Sequence, residues 1–367
     1  MIGSPEMQTS KFKHEWTHND RLSRWKADGA DLWMIVLKSS GNHNWPWSQS
    51  GDDAEKVFQQ TYPSLHAHMK PLANPLRKRQ DQGEQWWELR ACAYWEDFEK
   101  PKIIYQEIQF HPCYALDRTG QYSNNKTFFV ARCELYLLAV LNSPLCWWHN
   151  WRSLPHLKDE ALTPVAFRME SLPIAEPTDK SRKAAEKPVP RLIKICQTQQ
   201  STRRQILDWL RVEHEIAKPR LKLQSPLDLE ADAFLAAVKK ARGMNKPLTA
   251  AAAKNLIDEH RATIEPARGL AAEALALERK VSDLVNEAYG LTPDEINLMW
   301  DTAPPRMPLA RPDEPHERQT KRAFPLAVVF VSAVRPVREL DDPAVDDLDR
   351  AHVLAGRDRR HLAGEAG

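Results

Sequence analysis

Between Glu176 and Pro190 the chain changes character. This stretch is rich in proline, lysine and glutamate and holds few apolar residues. A segment of that composition buries little and reads as a linker. It divides a chain of 367 residues, long enough for two or three domains, into unlike parts. Before it lie most of the 13 tryptophans, rings that serve cores and interfaces alike. After it, apolar residues recur at three and four spacing, the mark of amphipathic helices.

The first part mixes elements. Asp31 to Leu37 is an apolar run of strand length, and Trp45-Pro46-Trp47 is either a packed loop or a loop that lies against a partner. Asp52 to Leu76 is expected to be helical, with Ala54, Val57 and Phe58 on one face, an interruption at Pro63 and Ser64 as a cap. His66 and His68 are expected at the surface, since no ligand-like spacing surrounds them. Glu84 to Cys92 reads as a short helix. Lys102 to Ile108, the segment around Phe110, Tyr114 and Leu116, and Thr127 to Val130 read as strands. The turn Asp117-Arg118-Thr119-Gly120 uses the glycine for its positive φ. Cys133 to Leu141 is a helix that stops before Pro144.

Beyond the linker, Ile206, Trp209 and Leu210 share a face, as do Phe234, Leu235 and Val238. Thr249 is placed to cap an alanine-rich helix. Leu270 to Tyr289 is expected to be the longest helix, closed by Gly290. Thr292-Pro293-Asp294-Glu295 carries a capping box with proline at the first helical position. Residues 191–308 therefore form an antiparallel helical arm. Leu309 to Gly367 is rich in arginine, aspartate and proline and is expected to be a disordered or divergent tail; Pro325 to Val331 is its one candidate strand.

The formal net charge is +2, so a face for an anionic partner must be local. The five cysteines form no Cys-x-x-Cys pair, which argues against a disulfide framework or a zinc site. No apolar stretch approaches membrane-spanning length and none has the form of a signal peptide. The expectation is a cytoplasmic protein without a membrane partner.

Basic and aromatic residues interleave most densely from Arg77 to Tyr105. The string runs Arg77-Lys78-Arg79-Gln80-Asp81-Gln82-Gly83-Glu84-Gln85-Trp86-Trp87-Glu88-Leu89-Arg90, then through Trp95 to Lys100 and Lys102. Two readings fit it. Cations that take phosphates beside rings that meet bases make a nucleic-acid surface. The same letters also make the cation–π-stitched shell of a mixed core. Similar alternatives hold for Ser123-Asn124-Asn125-Lys126, where asparagine reads an adenine edge or only shapes a turn. They hold again for Cys146-Trp147-Trp148-His149-Asn150-Trp151-Arg152, which either stacks on DNA or fills a core.

The order of these strings resembles a known module. Tyr62-Pro63, Arg79 to Gly83, Trp86-Trp87-Glu88-Leu89-Arg90, Phe98 to Ile104, Leu141-Asn142-Ser143-Pro144 and Leu172-Pro173-Ile174 look like the TaqI-like C-terminal specificity domain of adenine-specific DNA methyltransferases, some of them single-chain restriction–modification enzymes. The likeness covers roughly the first half of the chain. The stretch from Leu207 to Pro308 looks like the helical tail that follows this module.

The resemblance implies an α+β fold: a mixed target-recognition domain at 41–175, the linker at 176–190, and the all-α arm at 191–308. Residues 1–40 would be a connector from an upstream catalytic domain. The implied partner is double-stranded DNA. Arg77, Lys78, Arg79, Lys100 and Lys102 would take phosphates, Gln80, Arg90 or Asn124 would reach base edges, and Lys126, Arg152 and Arg168 would also lie against the DNA. Trp86, Trp87 and Trp95 would build the platform beneath them. The arm would embrace the DNA backbone or a partner chain.

The chemistry of the parent enzymes is missing here. No Gly-x-Gly cluster and no Asn/Asp-Pro-Pro-aromatic motif occurs: Asn74-Pro75-Leu76 lacks the second proline and the ring, and Pro304-Pro305 lacks the amide and the ring. The expectation is no cofactor in this chain, S-adenosylmethionine in the complete enzyme, and specificity supplied to a separate catalytic methyltransferase chain. The remaining alternative is a gene fragment without function.

Overall fold

A computed structural model describes residues 13–16, 22–27, 32–123, 126–243 and 246–312. Three short strands come first: β1 (Lys13–Trp16), β2 (Trp25–Lys26) and β3 (Leu32–Ile35). The chain forms two compact units, each assembled from separate stretches. One takes the described residues of Met1–Thr17, Gly29–Pro101 and Arg118–Ser123; the other takes those of His18–Asp28, Lys102–Asp117 and Asn124–Gly367. The class is mixed α+β, as expected. The tail beyond residue 312, with its candidate strand, and Asn124 lie outside the described residues.

In the first unit β1 and β3 pair antiparallel, Lys13 opposite Ile35 and Trp16 opposite Leu32. The helix expected over Asp52 to Leu76 is broken into α1 (Ala54–Thr61), α2 (Pro63–Met69) and α3 (Ala73–Arg77). Pro63 is the cause: it cannot continue α1 but suits the first position of α2. That places Tyr62, not Ser64, at the N-cap. Phe58 and Leu65 point into a core completed by Trp45, Trp47, Trp86 and Trp87. Trp45 and Trp47 stack at 5.1 Å across Pro46, so this loop is packed. Burying each of these rings contributes about 2–3 kcal/mol.

No helix forms over Glu84 to Cys92. Its amides bond elsewhere: Leu89 N–H donates to Leu37 O at 2.7 Å, and Glu88 N–H to Gln85 O at 2.9 Å. A short helix, α4 (Trp95–Glu99), follows instead. Gly120 has φ +77°, and a Cβ there would lie 3.3 Å from Glu99 O. The expected glycine turn therefore also needs the space.

The second unit holds a four-stranded mixed sheet in the order β2-β5-β4-β6, with β4 (Lys102–Gln106), β5 (Tyr114–Asp117) and β6 (Thr127–Val130) where the sequence predicts strands. β4 is antiparallel to both neighbours, and β2 runs parallel to β5. Helices α5 (Leu135–Leu141), α6 (Pro144–Ser153) and α7 (Ala166–Glu170) follow. Ser143 caps α6 by accepting from Cys146 N–H at 3.1 Å.

The stretch expected as a linker contains a helix, α8 (Asp179–Glu186), capped by Thr178. Its lysines and glutamates are good helix formers, and Ala185 and Val189 of the stretch are fully buried in the core. Then come α9 (Val189–Glu213), α10 (Leu221–Gln224), α11 (Ala231–Arg242) and α12 (Ala250–Glu259). A π-turn at His260–Ile264 leads into α13 (Glu265–Ala288), and α14 (Pro293–Asp301) closes the set. Among the described residues α9 has 25 residues and α13 has 24, and α13 continues without a break from α12 through the π-turn. Thr249 caps α12 as expected, Gly290 takes φ +65°, and Thr292 and Glu295 close the capping box.

Ile103 and Leu116 of the sheet join Leu138, Leu192, Val281 and Val285 in one core. A second core of Ile206, Leu210, Phe234, Val238 and Leu256 sits among α9, α11 and α12. Arg24 and Trp25, flanking the start of β2, both bond the buried Glu278 of α13, at 3.0 Å and 2.7 Å. Leu309 and Ala310 are buried too, past the boundary expected at Pro308. Among the described residues no helix is long and apolar enough to cross a membrane.

Candidate nucleic-acid interface

The string from Arg77 to Arg90 is organised by two carboxylates. Glu88 is fully buried. Its oxygens accept from Trp47 Nε1 at 2.7 Å, Ser40 N at 3.0 Å, Ser40 Oγ at 3.1 Å and Gln85 N at 3.2 Å. A buried carboxylate is tolerated only when its lone pairs are satisfied in this way. Gly83 packs directly against it: a Cβ would stand 2.6 Å from Glu88 Cβ and 2.6 Å from Leu89 O. The glycine of the string is therefore a matter of close approach.

Glu55 of α1 is the second carboxylate. It bonds His66 Nε2 at 3.1 Å, Lys70 Nζ at 2.5 Å, Arg77 at 3.3 Å and Trp86 Nε1 at 3.2 Å. Burial alone would raise its pKa, but the bonds from Lys70, His66 and Trp86 and the charge of Lys70 outweigh that and hold it at about 2. His66 is thus buried against an acid, not exposed as expected.

Arg79 faces inward. Its guanidinium donates to the carbonyls of Leu76 at 3.2 Å, Trp86 at 3.0 Å and Glu88 at 2.8 Å. That fork holds the segment in place. Its neighbours Arg77, Lys78 and Gln80 are exposed on either side of it. Arg77 lies 5.2 Å over the Trp86 ring. Arg90 approaches Asp81 at 3.6 Å and remains 42 % exposed. Trp86 and Trp87, only 4 % and 2 % exposed, are not at a surface. Trp87 stacks on Phe58 at 4.9 Å and meets Trp47 edge-on, so both rings are scaffold. Trp95 is half-buried beside Phe98 and Tyr122. Lys100 is exposed and pairs with Asp97 at 2.8 Å.

The second unit changes other expectations. Lys102, predicted to take a phosphate, is 1 % exposed and bonded to the equally buried Asp117 at 2.5 Å. The reason is that β4 and β5 are buried along nearly their whole length, and their register sets these two side chains opposite one another. Lys126 pairs with Glu107 at 2.9 Å. Arg152 lies 3.8 Å over Trp148 and donates to the carbonyls of Trp148 and Thr302, both at 2.9 Å. Arg168 is exposed beside Phe167, itself 63 % exposed. Trp147 is fully buried and donates to Pro305 O, which is the core reading of that aromatic run. An apolar pocket of about 130 Å³ lies among Val140, Leu145, Trp148, His149, Leu172 and Tyr289. It contains none of the cations expected to meet DNA.

Of the DNA contacts expected in the string, Arg77, Lys78, Gln80 and Arg90 face outward, beside the exposed Asp81, Gln82 and Glu84. Sequence reasoning missed Glu55, Glu88 and Lys70. The letters Glu88 and Gly83 stood in the string, but their contact needs a turn that the sequence pattern does not show. The family model of a domain of unknown function, DUF8810, matches residues 178–285, from α8 into α13. No curated protein matches the chain.

Proposed function

We propose that this protein recognises duplex DNA as the specificity part of an adenine-specific DNA methyltransferase or restriction–modification system, with no methyl-transfer site of its own. The observation that carries the reading is the alternation at Arg77–Gln80. Arg79 binds three main-chain carbonyls, and Arg77, Lys78 and Gln80 stand exposed around it. A cation held on a firm frame loses little freedom when it meets a phosphate. Gln80 and Arg90 are of the types that reach base edges with two hydrogen bonds. The resemblance of the string to TaqI-like specificity domains supports the same reading.

In this reading the buried Trp86, Trp87 and Glu88 hold the rim in shape, and the rim meets the DNA. The methyl group comes from S-adenosylmethionine bound by a separate catalytic part, and the target adenine leaves the stack to reach it. Selection of bound duplexes from a random-sequence library tests the proposal. The expected result is enrichment of one short motif, lost in an Arg77→Ala/Gln80→Ala variant. Recovery of random sequence after repeated rounds would overturn it.

A further inference from the structure

One end of the helical part of the second unit gathers positive charge from two separate stretches. Helix α11 ends in Lys239, Lys240 and Arg242. The turn after α9, and α10 beyond it, supply Lys218, Arg220 and Lys222. Several contacts bring the two sets together. Helix α10 packs on α11. Arg203 of α9 holds Gln224 O of α10 at 2.6 Å. Lys246, past the end of α11, bonds Glu215, past the end of α9, at 2.6 Å. Lys218, Arg220, Lys222, Lys239 and Lys240 are all exposed. Of the nearby acids Glu213 and Glu215, the second is already engaged by Lys246.

The α11 cations alone need no partner, because the negative end of a helix favours them. The same effect does not explain a second basic set on the neighbouring stretch, Lys218 to Lys222. Like charges collected from different stretches repel one another, and an anionic partner offsets that repulsion. We infer that this end of the helical arm binds the phosphate backbone of duplex DNA without regard to sequence. A membrane surface is a poorer fit. Helix α10 has four residues and one strongly exposed apolar side chain, Leu221 at 77 %, whereas interfacial binding needs a continuous apolar helix face. The inference rests on the DNA reading above but uses different residues and no base contacts.

The test is a titration of the full chain with a labelled random-sequence duplex at several salt concentrations, comparing wild type with K218A/R220A/K222A. Each lost phosphate contact lowers the slope of log affinity against log salt by about 0.9. The triple variant should therefore lose about two to three in slope, and about tenfold or more in affinity on every sequence tried. K239Q/K240Q, on the neighbouring helix α11, should move both readouts in the same direction, so a folding defect in one variant leaves the other informative. K194A/K254A, which removes exposed cations from near the start of α9 and from α12, should leave most of the slope in place. If wild type binds DNA and both patch variants keep its slope, this inference fails while the DNA reading stands. If wild type does not bind, both fail. Loss of binding to anionic phosphatidylserine vesicles with DNA binding unchanged would make the patch a membrane contact and overturn the inference.

Discussion

The indole N–H of Trp47 donates to the carboxylate of Glu88 at 2.7 Å across 41 positions of sequence. This bond connects the Trp45-Pro46-Trp47 loop to the string from Arg77 to Arg90. Four donors converge on the one buried carboxylate. Glu88→Ala would leave the Trp47 indole and the amides of Ser40 and Gln85 without their acceptor. The expected loss is about 3–5 kcal/mol of stability, measured by urea unfolding with tryptophan fluorescence. Glu84→Ala, at an exposed neighbour, should change the midpoint little. Equal effects of the two substitutions would contradict a central role for Glu88.

Gly83 permits the approach of Glu88 and the Leu89 carbonyl. A methyl group at 2.6 Å from backbone cannot be accommodated by rotating a side chain. Gly83→Ala should cost about 1–3 kcal/mol through displacement of the turn, seen as a lower melting temperature. Gly269, with open space around its Cβ position, serves as the comparison. Gly269→Ala sits in α13 and should be neutral or stabilising.

Glu55 gives a pH dependence whose sign is fixed. Its pKa of about 2 lies below the ordinary 4.5. The ionised form is therefore favoured by folding, and its contribution is complete above about pH 4.5 and lost as pH falls toward 2. Stability of wild type should exceed that of Glu55→Gln at neutral pH, with the gap closing through that window. A gap that stays constant down to the acid limit would show that the carboxylate charge contributes nothing.

Lys102 and Lys78 separate structure from binding. Lys102→Ala strands the buried Asp117 and should destabilise the second unit by about 3–5 kcal/mol. Lys78→Ala removes an exposed cation and should leave unfolding unchanged while weakening duplex binding and lowering its salt slope by about one. A Lys78 variant that unfolds early, or binds DNA as wild type does, would remove that residue from the interface.

Much of the fold was legible because it rests on local signals. Strands β4, β5 and β6 followed from apolar runs, and the caps at Thr249 and Thr292 from short polar motifs. Long-range contacts were not legible. The segment Glu84 to Cys92 has helix-forming letters, but its amides bond Leu37 and Gln85 instead. The lysines and glutamates of Glu176 to Pro190 resemble a solvated linker until Ala185 is seen in the core. Lys102 read as a surface cation because its partner, Asp117, lies on another strand. At the candidate interface the string identified the region, but which side chains face outward depended on Arg79 turning inward. The basic end of the helical arm was not singled out from the sequence, because its two charge runs, Lys218 to Lys222 and Lys239 to Arg242, are short and lie apart in the chain. Their meeting depends on how α10 packs on α11.

The central claim is that this chain grips a double helix, and the direct measurement is fluorescence anisotropy of a labelled duplex titrated with the whole chain. At about 50 mM salt binding should saturate in the micromolar range or tighter, and at about 200 mM it should weaken by about tenfold or more. A flat anisotropy at low salt, or binding that ignores salt altogether, would contradict the account.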